Sequence, residues 1–219
     1  MSAVLRYQFQ NPELLKLALT HRSAFPQHNE RLEFLGDALI GSLIAEALYH
    51  RFPAADEGQL TRARAALVNK TSLATIAREL DLGPRLRLGE GEMKTGGWRR
   101  DSILANALEA MVGAIFLDAG ATTCKVEILQ WFDSKLEEIN PAVMAKDPKT
   151  LLQEYLQSRQ FPLPIYQTVA LSGPPHEQRF TIACEVTGLE PAVQAVGSSR
   201  RQAEQEAARL ALTALLVRQ

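Results

Sequence analysis

From about residue 11 to residue 139, apolar positions recur at helical spacing, and only beyond residue 160 do short strand-like runs appear. Asn11-Pro12-Glu13 opens a helix that carries LLKLALTH and is expected to end near Arg22 and Ser23. A second helix is predicted from about His28 to Arg51, where Phe52-Pro53 ends it. Its apolar residues do not form one stripe. Leu32, Leu35, Leu39 and Leu43 lie on one side, while Phe34, Ile40, Ile44 and Leu48 flank three carboxylates, Glu30, Glu33 and Asp37. At ~100° per residue these acids fall within roughly 60° of one another. A helix apolar all round is normally a central, buried one. Carboxylates there must be neutralised, paired with a base or bound to a cation, because an unpaired buried charge is very costly. Gly36 costs a helix interior ~1 kcal/mol relative to Ala, so another backbone is expected to approach closely beside the acids.

Glu57-Gly58 turns into a helix bearing Arg62 and Arg64, and another runs from about Ser72 to Leu80, capped by Thr71 or Ser72 and broken by Gly83-Pro84. Residues 89–100, GEGEMKTGGWRR, read as a long exposed loop ending in Arg99 and Arg100. Asp101 or Ser102 is expected to cap the next helix, which is again apolar almost all round, ILANALEAMVGAIFLDAG. Its polar exceptions, Asn106 and Glu109, are three apart and share a face. Two such helices facing each other would supply an all-oxygen cage, suited to Mg²⁺ or Mn²⁺ and not to zinc, since no His or Cys belongs to it. KVEILQWFDSKLEEI closes this helical part, and NPAVMAK, with Pro and no clear period, is read as a linker. Beyond it a capped helix, DPKTLLQEYLQSR, precedes three strand-like runs, IYQTVAL, RFTIACEV and AVQAVG. An Ala-rich helix, SSRRQAEQEAARLALTALL, follows. The order α-β-β-β-α places two helices on one face of an antiparallel sheet.

Composition changes this picture little. The 219 residues suit one or two domains, and at 46% hydrophobic they can bury a sizeable core. No window holds the roughly 18 uninterrupted apolar residues of a membrane span, and MSAVLRYQFQNPELL lacks the apolar segment of a secretory signal. Cys124 and Cys184 fall in different domains, which argues against a disulfide framework and makes a cytoplasmic location the expectation. Residues 147–219 hold seven Lys/Arg and seven Asp/Glu, and residues 1–146 the other 17 bases and 18 acids. Neither part has the bulk basic footprint of a nucleic-acid binder, so such a function must rest on local clusters. His21 reads as a packed or capping histidine.

NERLEFLGDAL at residues 29–39 resembles the signature segment of ribonuclease III. The resemblance continues through Glu57-Gly58 with LTRARAALVN and through SILANALEAMVGAIFLDAG. The C-terminal part is similar to a double-stranded-RNA-binding domain, with GPPH in a loop and GSSRRQAEQEAA opening the last helix. The likeness implies two domains: an all-α ribonuclease III nuclease domain over residues 1–140, and a small α+β RNA-binding domain over 147–219, joined by a linker at 141–146. Asp37 and Glu109 match the family's catalytic pair, and Glu33, Asp37, Asn106 and Glu109 its metal ligands. Glu30 and Glu57 match acids that line the site and support RNA or the partner subunit. Phe34 matches an aromatic that packs into a second subunit. For the RNA-binding domain, Gln153 and Gln157 are expected to reach one minor groove, His176 the next, and Arg200 and Arg201 the phosphates between them.

The implied protein is a cytoplasmic, homodimeric, Mg²⁺-dependent endoribonuclease of double-stranded RNA, with Mn²⁺ as a substitute cation and no membrane partner. It would process ribosomal RNA precursors and structured messages, leaving 5′-phosphate and 3′-hydroxyl ends. One position departs from the pattern: Asn106 stands where the family usually has aspartate. An amide offers one neutral oxygen and removes a charge from beside the cation. The alternative is therefore a double-stranded-RNA-binding protein that does not cleave.

Overall fold

The computed structural model describes residues 7–140, 144, 146–174 and 177–217. By internal contacts the chain divides into two units, Met1–Ala145 and Lys146–Gln219.

The first unit is all helical. It comprises α1 (Pro12–Ala18), α2 (Glu30–Arg51), α3 (Glu57–Val68), α4 (Lys70–Glu79), the short α5 (Glu90–Lys94) and the long α6 (Asp101–Glu138). Local sequence signals explain most of the boundaries. Asn11 caps α1 by accepting from the Glu13 N–H (3.1 Å). Asp56 and Gln59 form a reciprocal capping box at the start of α3. Asn69, not Thr71 or Ser72, caps α4 through the Ser72 N–H (2.9 Å). Neither Asp101 nor Ser102 caps α6, because the helix already starts at Asp101 and its cap position is Arg100, which makes no side-chain capping bond. Helix α1 stops earlier than the apolar pattern predicts, because Thr20 leaves it to pair in parallel with Arg87. Residues 89–100 are not a plain loop: they fold as α5 and a 3-10 turn at Gly97–Arg99, packed so closely that a side chain on Gly97 would meet Glu92. Helix α6 has two arms joined at Gly120, whose φ of 78° interrupts the helical conformation.

The core is built where α2 and α4 pack on α6. Ile40, Ile44 and Leu48 of α2 meet Leu104, Leu108, Met111 and Ile115 of α6, with Leu73 and Ile76 of α4 alongside. Each such side chain contributes about 1.5–3 kcal/mol of burial. By length and hydropathy α6 could cross a membrane, but its apolar residues fill this core.

Helix α2 departs from the all-round burial that its sequence suggests. One row is buried, Leu32, Gly36, Ile40, Ile44 and Leu48, at i, i+4 spacing. Phe34 is 80% exposed, and Glu30 and Asp37 are exposed too. Helix α6 covers the buried side of α2, with α3 packed on it as well.

The second unit has α7 (Pro148–Ser158), β1 (Ile165–Ser172), β2 (Arg179–Val186), β3 (Leu189–Gly197) and α8 (Arg200–Val217). The strands form an antiparallel sheet in the order β1-β2-β3. Leu189 to Pro191, expected between strands, already belong to β3. Leu152 and Leu156 of α7, Ala207, Ala211 and Leu215 of α8, and Cys184, Val186 and Ala195 of the sheet make its core. The expected α+β arrangement is what the chain adopts.

Candidate active site and RNA-binding surface

Gly36 and Gly113 set the crossing of α2 and α6. A methyl group on Gly36 would collide with the Glu109 carbonyl, and one on Gly113 with the Leu32 carbonyl. Backbone therefore lies on backbone, as the cost of Gly36 in the sequence implied. Side chains on the rim of this crossing are brought together: Glu33 and Asp37 from α2, Asn106 and Glu109 from α6.

Their electrostatics reflect that crowding. Burial, then the charges of Asp37 and Glu33, push Glu109 up to about 7. Glu33 is raised as well, by burial first and then by Glu30, while a hydrogen bond from Asn106 works the other way. The Asn106 amide thus donates to Glu33 where an aspartate would have repelled it. Glu30 sits on the outer edge, 3.3 Å from the Arg22 guanidinium and 3.8 Å from His28.

Glu33, Asn106 and Glu30 line a cavity of about 690 Å³ with Arg22, Glu92 and Arg100. Arg100 pairs with Glu92 at 3.1 Å. Sequence reasoning missed Arg22 and Glu92 because they reach the site from other segments; the charged run before the Gly96-Gly97 pair was the only hint of Glu92. Glu57 is not in this cavity. It starts α3, accepts from Thr61 Oγ1 (3.1 Å) and lines a largely apolar groove of about 780 Å³ with Ala45, Tyr49, Leu60 and Arg64. Among the described residues, no three His, Cys, Asp or Glu side chains converge closely enough to hold a metal ion by themselves.

The crowded acids make one consequence measurable. In the unfolded chain Glu109 has its ordinary value, 4.5, and in the fold about 7. The folded state then binds the extra proton, so stability is full below about 4.5 and is lost as pH rises towards about 7. In metal-free protein, Glu109→Gln is expected to abolish that loss. Its melting temperature should gain on the parent between those pH values and stay ahead above them; parallel curves would show that Glu109 is not strained.

In the second unit, Gln153 and Gln157 are exposed one turn apart on α7. Arg200 and Arg201, also exposed, open α8, and Arg200 pairs with Glu204 at 2.9 Å. Lys149 shares Glu204 at 2.7 Å, which ties α7 to α8. His176 lies outside the described residues.

Comparison with known proteins follows the same division. The profile of the family described as Ribonuclease-III-like matches residues 11–136, and that of the double-stranded RNA binding motif matches residues 148–215. Two structures of the nuclease domain of ribonuclease III from Campylobacter jejuni are similar to this chain. One is 44% identical at a TM-score of 0.58, covering 58% of this chain and 90% of that one; it concerns flexibility in a region involved in dimer formation in that protein. The other, a 2.2 Å crystal structure, is 43% identical at a TM-score of 0.58, covering 61% and 92%. Dicer from Pichia stipitis, 24% identical at a TM-score of 0.52 over 97% of this chain and 98% of that one, shares the fold.

Proposed function

Because the chain belongs to the ribonuclease-III-like family and carries a double-stranded RNA binding motif, we propose that it is a Mg²⁺-dependent endoribonuclease that hydrolyses double-stranded RNA at the α2–α6 crossing. The observation that carries this reading is the set of Glu33, Asp37 and Glu109 beside one backbone-to-backbone contact, with Glu109 raised to about 7 by burial and by the other two acids. Catalytic roles fall to Asp37 and Glu109. The domains are a nuclease over residues 1–140 and an RNA-binding domain over 147–219. Ribosomal RNA precursors and structured messages are its substrates, in the cytoplasm.

The donor set fits a hard dication. It contains only oxygen donors, and its self-repulsion would be relieved by positive charge. Glu33, Asp37, Asn106 and Glu109 would hold the ion, with water completing a shell that the carboxylates do not close alone. Once bound, such an ion activates water and stabilises the leaving 3′ oxygen. The chain's own contribution is positional: Asn106 orients Glu33 by hydrogen bonding, and burial beside Asp37 and Glu33 leaves Glu109 poised to take up positive charge. Incubating a plain RNA duplex with the protein tests the reading. It expects 5′-phosphate and 3′-hydroxyl ends with Mg²⁺ and no product in EDTA. Duplex bound but never cut, at any metal concentration, would establish the non-cleaving alternative that Asn106 raises.

Exposed Phe34 supports a homodimer through α2, since an aromatic 80% exposed beside the acids is otherwise unexplained. Phe34→Glu is expected to yield monomers and to cut slowly; sedimentation showing the parent itself to be monomeric at micromolar concentration would remove the dimer. Arg200 and Arg201 are proposed to hold phosphates, helped by the dipole at the start of α8. Their double replacement by alanine should weaken duplex binding without sequence preference and flatten the salt slope by about two phosphates' worth. An unchanged slope would place the phosphate contacts elsewhere.

A further inference from the structure

We infer that His21 and Ser23 are positioning residues that hold the segment Gly89–Arg100 against the acid-lined cavity, and that they do so only while His21 is neutral. The inference rests on the nuclease reading for its catalytic consequence, not for its geometry. Residues 19–21 pair with Arg87: the His21 N–H donates to the Arg87 carbonyl (3.0 Å), and the Arg87 N–H to the Leu19 carbonyl (2.8 Å). One step further, a side chain replaces the backbone acceptor, and the Gly89 N–H donates to Ser23 Oγ (3.0 Å). The Ser23 hydroxyl lies 2.8 Å from His21 Nδ1, and the Ser23 N–H donates to the same nitrogen (3.2 Å). A hydroxyl that accepts from Gly89 has its own proton to give. The network therefore assigns Nδ1 as acceptor and places the ring proton on Nε2. Contact is close enough that a side chain on Gly89 would collide with the Ser23 carbonyl.

What is held matters to the site. The segment carries Glu92 on α5 and ends at Arg100, and both line the cavity with Glu33 and Asn106. Its far end has a separate anchor: Arg78 donates to the Arg99 carbonyl (3.1 Å) and pairs with Asp101. Ser23 is the near anchor. Around His21 stand Glu92 from α5, Glu30 and His28 at the start of α2, and Arg22 on its own segment. Burial is the largest influence and lowers the His21 pKa, Arg22 and His28 act in the same direction, and the two carboxylates oppose them. The hydroxyl can turn to accept, but the Ser23 N–H is fixed in the backbone, so protonation at Nδ1 would set donor against donor there and loosen the turn that holds Ser23 Oγ under Gly89.

Two variants of the full chain test this: Ser23→Ala removes the link, and His21→Asn places a non-titrating acceptor near Nδ1. Hydrogen-exchange protection over residues 89–94 is measured from pH 5 to pH 8. Single-turnover cleavage of a plain RNA duplex and duplex affinity are measured alongside. Ser23→Ala should lose about tenfold in both protection and cleavage rate, with affinity kept within about twofold. The parent should lose protection in acid, whereas His21→Asn should keep it at both ends of the range. Unchanged protection in Ser23→Ala, or an acid loss in His21→Asn equal to the parent's, would overturn the inference. A parent that cuts no duplex would overturn the nuclease reading instead, and the exchange results would still decide the pairing.

Discussion

Gly36→Ala is expected to destabilise the helical unit, although a Gly-to-Ala change inside a helix ordinarily stabilises it by ~1 kcal/mol. The added methyl meets the Glu109 carbonyl, which is backbone in the middle of α6 and cannot rotate away. Relief requires α2 and α6 to part, and overpacking of that kind costs about 1–3 kcal/mol or more. So deep an overlap takes the upper end, and after the ~1 kcal/mol helix gain the net expectation is a loss of roughly 2 kcal/mol, or on the order of 5 °C in the unit's melting temperature. Gly41, in the same helix, supplies the control, because a methyl there meets nothing within 4 Å. Gly41→Ala should leave the melting temperature unchanged or raise it. If both variants melt like the parent, the two helices are not in backbone contact.

Asn106→Asp is expected to lower the Mg²⁺ concentration needed for cleavage by at least about tenfold. One unit charge acting on another ~4 Å away contributes about 4 kcal/mol at an effective dielectric of ~20, and a dication doubles it. Rearranged ligands and water recover part of this, so a tenfold shift, ~1.4 kcal/mol, is a lower bound. Without metal the sign reverses. Asn106 donates to Glu33, and burial and Glu30 already raise that carboxyl. A carboxylate at 106 replaces a donor with a repulsive neighbour, so the metal-free variant should melt below the parent at neutral pH. A metal titration of cleavage, with duplex affinity and melting measured beside it, reads both effects. Equal cleavage at the same low Mg²⁺ would show that position 106 carries no critical charge.

The fold was legible in the sequence wherever a local signal sets an element. Asn11 and Asp147 cap helices in the structure by bonds to nearby N–H groups. The three strand-like runs became an antiparallel sheet. Gly36 stood out because its cost in a helix needed a reason, and the α2–α6 crossing supplies it. The pattern could not say what covers each apolar position. Phe34 and Ile40 look alike in the sequence, yet one is 80% exposed and the other 2%. Helix α5 was hidden because GEGEMKTGG has the composition of a loop, and its packing on Gly97 is tertiary. The Ser23–Gly89 contact joins residues 66 apart, and nothing local announces it.

Single-turnover cleavage of a plain RNA duplex, titrated with Mg²⁺ for the parent and for Glu109→Gln, tests the α2–α6 acids most directly. The parent's rate should rise with Mg²⁺ and vanish in EDTA. The variant should be slower by about 10²–10³ at saturating metal while binding the duplex equally well, since only catalysis has been removed. A Glu109→Gln protein that cuts as fast as the parent at the same Mg²⁺ would contradict the assignment.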